Sequence, residues 1–394
     1  MNAFMVALST ASARPASRTQ AVAIWLFIVA LLIAAMVTVG GLTRLTGSGL
    51  SITEWHPVTG VVPPLSGGAW QSEFAKYQRI PQFRLENPHM DVAAFKAIYW
   101  WEWSHRLLGR LLGFAFLLPF LYFATTGAIA RADYPRMIGL FALGGLQGFV
   151  GWWMVQSGLE TRVSVSQYRL AIHLGVALIL LGAIIWTALD YLHGTFPPLR
   201  SGGGGWRAPA RQTEGAPSVT RLTSRDTSPV NGGGKLFNWA LAFVVLVYLQ
   251  MLLGALVAGL HAGLIYNTWP SMDGRVFPEH PFFHQPWWVN FGESAGLAQF
   301  DHRIGAYIIA VSALALWMAS RRANVARASA NAVLAVTGFQ IVLGIVTLIS
   351  QAPVALAALH QATAVALFAS AVWHAQSLSA RVRPLRPAPA PDPR

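Results

Sequence analysis

Apolar residues run for about twenty positions at a time along this chain, the length that carries a helix across a bilayer core of about 30 Å. Eight such runs stand out, over 21–42, 98–122, 137–155, 168–189, 236–260, 297–320, 330–349 and 354–373. Between the fourth and fifth the pattern stops. Residues 193–235 hold Gly202 to Gly205, Gly232 to Gly234 and scattered Pro, Ser, Thr and Arg, which predicts a flexible linker. The chain is therefore expected to be an all-α polytopic membrane protein with four spans on either side. The units are a tail over 1–20, a four-helix bundle over 21–192, the linker, a second bundle over 236–376 and a tail over 377–394.

Composition agrees. Of 394 residues, 54% are hydrophobic and 11% charged, against about 25% charged in ordinary soluble domains. Cysteine is absent, which excludes disulfides, thiolate-ligated clusters and covalent haem attachment through CxxCH. The net charge of +13 has a place in the topology. With the N-terminus inside, Arg14, Arg18, Arg131, Arg136, Arg321, Arg322, Arg327, the linker arginines and the C-terminal arginines all fall on the cytoplasmic side. The basic balance reports orientation in a lipid bilayer, and no nucleic-acid partner is expected. The acid-free first twenty residues fit a bacterial inner-membrane protein; a mitochondrial inner-membrane protein is the alternative.

The halves look like copies. Residues 40–60 align without a gap on 254–274, with identities at Gly40/Gly254, Leu42/Leu256, Gly49/Gly263, Leu50/Leu264, Trp55/Trp269 and Gly60/Gly274. Further on, Glu102-Trp-Ser-His105-Arg106 matches Gln299-Phe-Asp-His302-Arg303. Gln147 and Gly151 answer to Gln340 and Gly344, and His173 to His360. Four spans per copy, an even number, give both copies the same orientation. Two parallel-repeat four-helix bundles follow.

Of the eleven histidines, His56, His89, His280 and His284 fall in outer loops, and His193 and His374 at inner ends, where solvated side chains are expected. His105, His173, His302 and His360 differ, standing one per span on the second, fourth, sixth and eighth spans. Each comes about 8–11 Å below the outer boundary at 1.5 Å of rise per residue. A neighbouring helix satisfies many a single buried histidine; four at matched depth point to shared work. Diagonal helices of a bundle bring His105 towards His173 and His302 towards His360, as a flat porphyrin with two axial imidazoles requires. Zinc would want three or four protein ligands. Arg106 and Arg303, beside the ligands, are placed to pair with haem propionates or to reach the headgroups. Glu102 shares the face of His105, and its repeat counterpart is Gln299. A carboxylate there can move protons or stabilise positive charge; its other role is an ion pair with Arg106 one turn on.

The strings Gly40-Gly-Leu-Thr-Arg-Leu-Thr-Gly-Ser-Gly-Leu-Ser-Ile-Thr-Glu-Trp55 and Ile98-Tyr-Trp-Trp-Glu-Trp-Ser-His-Arg-Leu-Leu-Gly-Arg110 closely resemble the haem A synthase family. So do Gly259-Leu-His-Ala-Gly-Leu-Ile-Tyr-Asn-Thr-Trp-Pro-Ser-Met-Asp-Gly274 and Leu359-His360-Gln. The resemblance spans about residues 20–375, and the lack of cysteine looks like the mitochondrial and alphaproteobacterial branch. It implies an enzyme that oxidises a ring methyl of haem O to a formyl group through a hydroxymethyl stage, supplying haem A to cytochrome oxidase. It further implies resident haem b on His302 and His360, and substrate haem O between His105 and His173 with Glu102 catalytic. An electron donor, a haem O synthase and a second copy of the chain are the partners such an enzyme could take. A di-haem electron carrier and a haem transporter or chaperone are the competing readings.

Overall fold

The structure, a computed structural model, describes residues 16–56, 59–160, 162–194 and 229–382. Most of the expected linker, and most of both expected tails, lie outside the described residues.

Eleven α-helices form among the described residues, and no strand. In order they are α1 (Ala16–Leu45), α2 (Gly67–Tyr77), α3 (Pro81–Glu86), α4 (Val92–Thr125), α5 (Tyr134–Leu159) and α6 (Gln167–His193), then α7 (Pro229–Gly259), α8 (Asn290–Glu293), α9 (Ala295–Arg322), α10 (Arg327–Ile349) and α11 (Val354–Val382). Eight of them are long and apolar enough to cross a membrane, and they cover the eight expected runs. Each overruns its expected run at one end at least. The early start of α4 has a local cause: Asp91 is its N-cap and accepts from the Ala94 amide at 2.8 Å.

Two apolar faces on one helix identify a span. On α1, Val22, Leu26, Val29, Ile33 and Val37 repeat at helical spacing and are buried. Ile24, Ile28 and Leu31 on the other side are exposed, Leu31 by 70%. An aqueous helix would place polar residues there, whereas hydrocarbon accepts these side chains.

The long helices pack in sequence. α1 lies against α4 and α6, and α5 against the same two, so α4 and α6 stand across from one another. In the same way α7 and α10 each pack on α9 and α11. The two sets meet through α6, α7, α11 and α1. At one end, Arg44 on the last turn of α1 donates to the carbonyls of Ala258 and Gly259 at 3.3 and 3.4 Å, and lies 3.1 Å from His261 Nε2. A cation thus meets the carbonyls that end α7. At the other end, the Arg136 guanidinium pairs with Asp190 at 2.9 Å, and the Gln376 amide reaches the same carboxylate at 3.3 Å. Asp190 is only 1% exposed, and burying a carboxylate is expensive without such partners.

Close approach of α7 to α6 needs glycine. A methyl group on Gly259 would lie 2.5 Å from Gln167 Cβ and 2.8 Å from its Cα, and backbone cannot swing aside. Gly259→Ala should therefore destabilise the protein by about 1–3 kcal/mol. Gly234→Ala on the same helix meets nothing within 4 Å and should be neutral or slightly stabilising. Thermal unfolding of both variants in detergent checks this; equal midpoints would show that the α6–α7 contact gives way freely.

Candidate functional site

The four histidines singled out by their depth each meet a glycine from a neighbouring helix. His105 on α4 faces Gly40 of α1, and His173 on α6 faces Gly151 of α5. His302 on α9 faces Gly254 of α7, and His360 on α11 faces Gly344 of α10. A methyl group on Gly40, Gly151 or Gly344 would stand 2.8 Å from the imidazole Cε1, and one on Gly254 would stand 3.3 Å away. Only a residue without a Cβ lets the ring edge come so close.

A glutamine one turn before the glycine completes three of these seats. The Gln147 amide donates to the His173 carbonyl at 3.0 Å and lies 3.1 Å from its Nδ1. Gln250 donates to the His302 carbonyl at 2.7 Å and lies 3.1 Å from its Nδ1. Gln340 donates to the His360 carbonyl at 3.0 Å and lies 3.3 Å from the ring. The residue one turn before Gly40 is Met36, so His105 has no counterpart amide. Gln147 and Gln340 were visible as a repeated pair in the sequence. Gln250 was not, because its counterpart in the first half is this methionine.

His105 and His173 stand on helices that face one another across the first set, as do His302 and His360 across the second. The nitrogens Nδ1 of His105 and His360 are buried without a hydrogen-bond partner, and so are the Oε1 atoms of Gln147, Gln250 and Gln340. Buried polar atoms are rarely left so. Among the described residues, no three His, Cys, Asp or Glu side chains gather as a site for a bare metal ion. Histidines on helices that stand across from each other, two of them with a buried, unpartnered Nδ1, would fit as ligands of a haem iron.

Beside His105 lies a buried ion pair. Glu102 is 2% exposed, and its Oε1 accepts from Arg106 at 2.6 Å. Its Oε2 accepts from the Ser51 hydroxyl at 2.8 Å and the Ile52 amide at 2.7 Å. The ion pair foreseen as the other role of Glu102 thus forms. The second half reverses the polarity: the Gln299 amide donates to the carbonyls of Ala262 and Ile265 at 2.8 and 2.6 Å. Gln299 Oε1 still accepts from Arg303 at 3.2 Å, as Glu102 does from Arg106, so the reversal is confined to the loop contacts.

The arginines follow the repeat as well. Arg106 donates to the carbonyls of Ile52 at 2.7 Å and Glu54 at 2.9 Å. Arg303 donates to Tyr266 at 2.7 Å and Ser271 at 3.1 Å. Tyr266 is the residue that aligns with Ile52. Each guanidinium therefore clamps a loop onto the helix that carries a histidine. Outside the spans, Lys76 and His56 hold the Glu54 carboxyl below the usual carboxylate range, chiefly through the 2.8 Å Lys76 bond.

His374 departs from expectation. In place of a solvated inner end, it is 1% exposed and lies 3.3 Å from Ser320 Oγ and 2.9 Å from Ser329 Oγ. The expectation overlooked that α9 and α10 each offer a serine where α11 passes. His261, which carried no signal in the sequence, receives the Arg44 guanidinium described above.

Residues 23–372 match the family model described as cytochrome oxidase assembly protein, COX15-CtaA. The chain is 47% identical over 360 residues to a protein of Parvibaculum lavamentivorans named heme A synthase, with 91% of this chain and 95% of the relative covered. A heme A synthase of Bradyrhizobium diazoefficiens is 47% identical over 378 residues, covering 95% and 96%. One of Caulobacter vibrioides is 45% identical over 358 residues, covering 90% and 95%.

The glycine seats make a sharp test. Gly344→Ala should push the His360 ring aside and lower the haem that co-purifies, whereas Gly338→Ala, with nothing within 4 Å, should leave it unchanged. Pyridine haemochrome assay of both variants at equal protein gives the comparison. Equal haem in the two would remove the glycine from any role at the site.

Proposed function

The chain belongs to the COX15-CtaA family of cytochrome oxidase assembly proteins and is a haem A synthase of a bacterial membrane, and we propose that it oxidises a ring methyl of haem O to a formyl group through a hydroxymethyl stage. The observation that carries this reading is the near-full-length similarity to heme A synthases, joined to four glycine-seated histidines. That similarity favours the synthase over the electron-carrier and haem-chaperone readings.

In this proposal the two sets of helices are parallel repeats, with both termini cytoplasmic. His302 and His360 hold a resident haem b, and His105 and His173 flank the substrate, haem O. A haem on His302 and His360 supplies one-electron transfer when bound. Electron donor, haem O synthase and a second copy of the chain remain partners of the proposal.

The remaining work falls to the side chains. Glu102 places a carboxylate one helical turn from His105, in a setting where few water dipoles screen it. Three donors orient it, so it need not reorganise when positive charge or a released proton appears nearby. Arg106 balances its charge and ties it to the outer loop, and Arg303 performs the same loop clamping in the second half. From the rim, both guanidiniums are also suited to haem propionates.

His302→Ala and His360→Ala should each lower bound haem b and abolish haem A formation. His105→Ala and His173→Ala should keep most haem b while blocking oxidation. Extraction and chromatography of the porphyrins decides: a full complement of haem b in His302→Ala would overturn the assignment of the resident site.

Glu102→Gln should accumulate haem O or its hydroxylated form with normal haem b. Ser51→Ala, which keeps the charge and removes one hydrogen bond, should retain at least part of the activity. Wild-type haem A yields from Glu102→Gln would make the carboxylate purely structural.

A further inference from the structure

We propose that a glycine-lined gap between α4 and α5 receives the isoprenoid chain of haem O, and that this gap fits the first half to its substrate. The inference rests on the reading that His105 and His173 flank haem O.

The seam between α4 and α5 is closed at one level only. Phe116 of α4 stacks on Phe141 of α5 with ring centroids 6.0 Å apart, and Phe120 meets Tyr134 at 6.1 Å. Residues four or seven apart share a helix face. Gly109 and Gly113 therefore continue the faces of Phe116 and Phe120, and Gly145 and Gly148 continue that of Phe141. A methyl group on Gly113, Gly145 or Gly148 would meet nothing within 4 Å, and one on Gly109 would meet Met36 Cε alone, at 3.2 Å.

The gap starts at the histidines. At 1.5 Å of rise per residue, Gly109 lies about 6 Å along α4 from His105, and Gly148 about 4–5 Å along α5 from the seat of His173 at Gly151. Gly113 and Gly145 follow at about 9–12 Å, and the Phe116–Phe141 stack forms the floor at about 15–16 Å. His105 Nδ1, one turn from Gly109 on the same face, is buried without a hydrogen-bond partner. Gly145 and Gly148 are exposed, so the gap is open to the surrounding hydrocarbon.

The second half is built differently at this seam. By the spacing from His302 and Gln340, the counterparts of Gly109, Gly113 and Gly148 are Ala306, Ala310 and Ile341, and only Gly145 keeps a glycine, Gly338. α9 packs on α10 far more extensively than α4 on α5. In their most apolar stretches α4 and α5 are also the least buried of the eight spans. The two haems differ in a matching way: haem O carries a long isoprenoid chain on one ring edge, and haem b has none. Lipid tails are as apolar as the gap, so the chain gains no hydrophobic drive by entering. What the gap gives is room, and a side chain placed in it should shut out the chain and spare the porphyrin.

The full-length protein, purified with its resident haem b, is titrated with ferric haem O and with ferric protohaem, which lacks the chain. Gly148→Leu should weaken haem O by about 10-fold or more, the scale of an overpacking penalty, and bring it down to the level of protohaem, whose binding stays as in wild type. Gly113→Leu should do the same from the opposite wall and serves if the first variant does not fold; resident haem b content reports folding. Wild-type affinity for haem O in both variants would overturn the gap as the chain's site. Equal weakening of haem O and protohaem would overturn it too, since the substitution would then have disturbed the porphyrin seat. Haem O that binds His105→Ala and His173→Ala as it binds wild type would instead overturn the histidine site beneath the proposal.

Discussion

The contact between an imidazole edge and a glycine Cα holds this molecule's site together. Polar rings inside a membrane need partners that hydrocarbon cannot give, so helices must come close enough to enclose them. Glycine permits the approach, and it is used four times, at Gly40, Gly151, Gly254 and Gly344. In each case the seat lies on the helix preceding the histidine in the order of long helices. Packing of α1 on α4 and of α5 on α6 therefore sets the ring positions in one half, and α7 on α9 and α10 on α11 set them in the other. Whatever loosens those helix pairs loosens the rings.

The sequence repeat makes small differences between the halves stand out. Arg106 and Arg303 reach equivalent loop carbonyls, at Ile52 and Tyr266, so the scaffolds of the halves agree at that point. Against this constant background stand two exchanges, Glu102 for Gln299 and Met36 for Gln250. The first turns a hydrogen-bond donor into a buried anion and is matched by donors from Ser51 and Ile52. Without that match an uncompensated carboxylate would be expensive to bury. The second removes a donor from the ring one turn away. Both exchanges fall beside His105, which concentrates the difference between the halves on one imidazole.

Much of this was legible in the sequence because membranes simplify the reading. Apolar runs announce the spans, and a histidine within one is conspicuous against Leu and Ala. The repeat exposed the glycines at 40 and 254 and the Gln147 and Gln340 positions. The partners of Glu102 were half legible: an i, i+4 arginine follows from helix geometry, but Ser51 and Ile52 come from a loop whose path no periodicity describes. Gln250 was hidden for a different reason, since a repeat comparison finds what is kept and is blind to what one copy has replaced. His374 was misjudged because nearness to a span's end says nothing of which neighbours pass there; Ser320 and Ser329 arrive from helices distant in sequence.

The two sites are joined as well as distinguished. Gln361, next after His360, donates its amide to the Val37 carbonyl of α1 at 2.8 Å. A side chain at Gly41 would strike that amide, while Gly40 beside it seats His105. One turn of α1, from Val37 to Gly41, therefore touches the ring of the first half on one side and the neighbour of a ring of the second half on the other. The contact has no repeat counterpart, because the residue after His173 is Leu174 and the one that aligns with Gly41 is Ala255. A shift of α11 that carried His360 would press on the same turn that holds His105. The paired glycines at 40 and 41 thus place one turn of α1 against both His105 and the neighbour of His360.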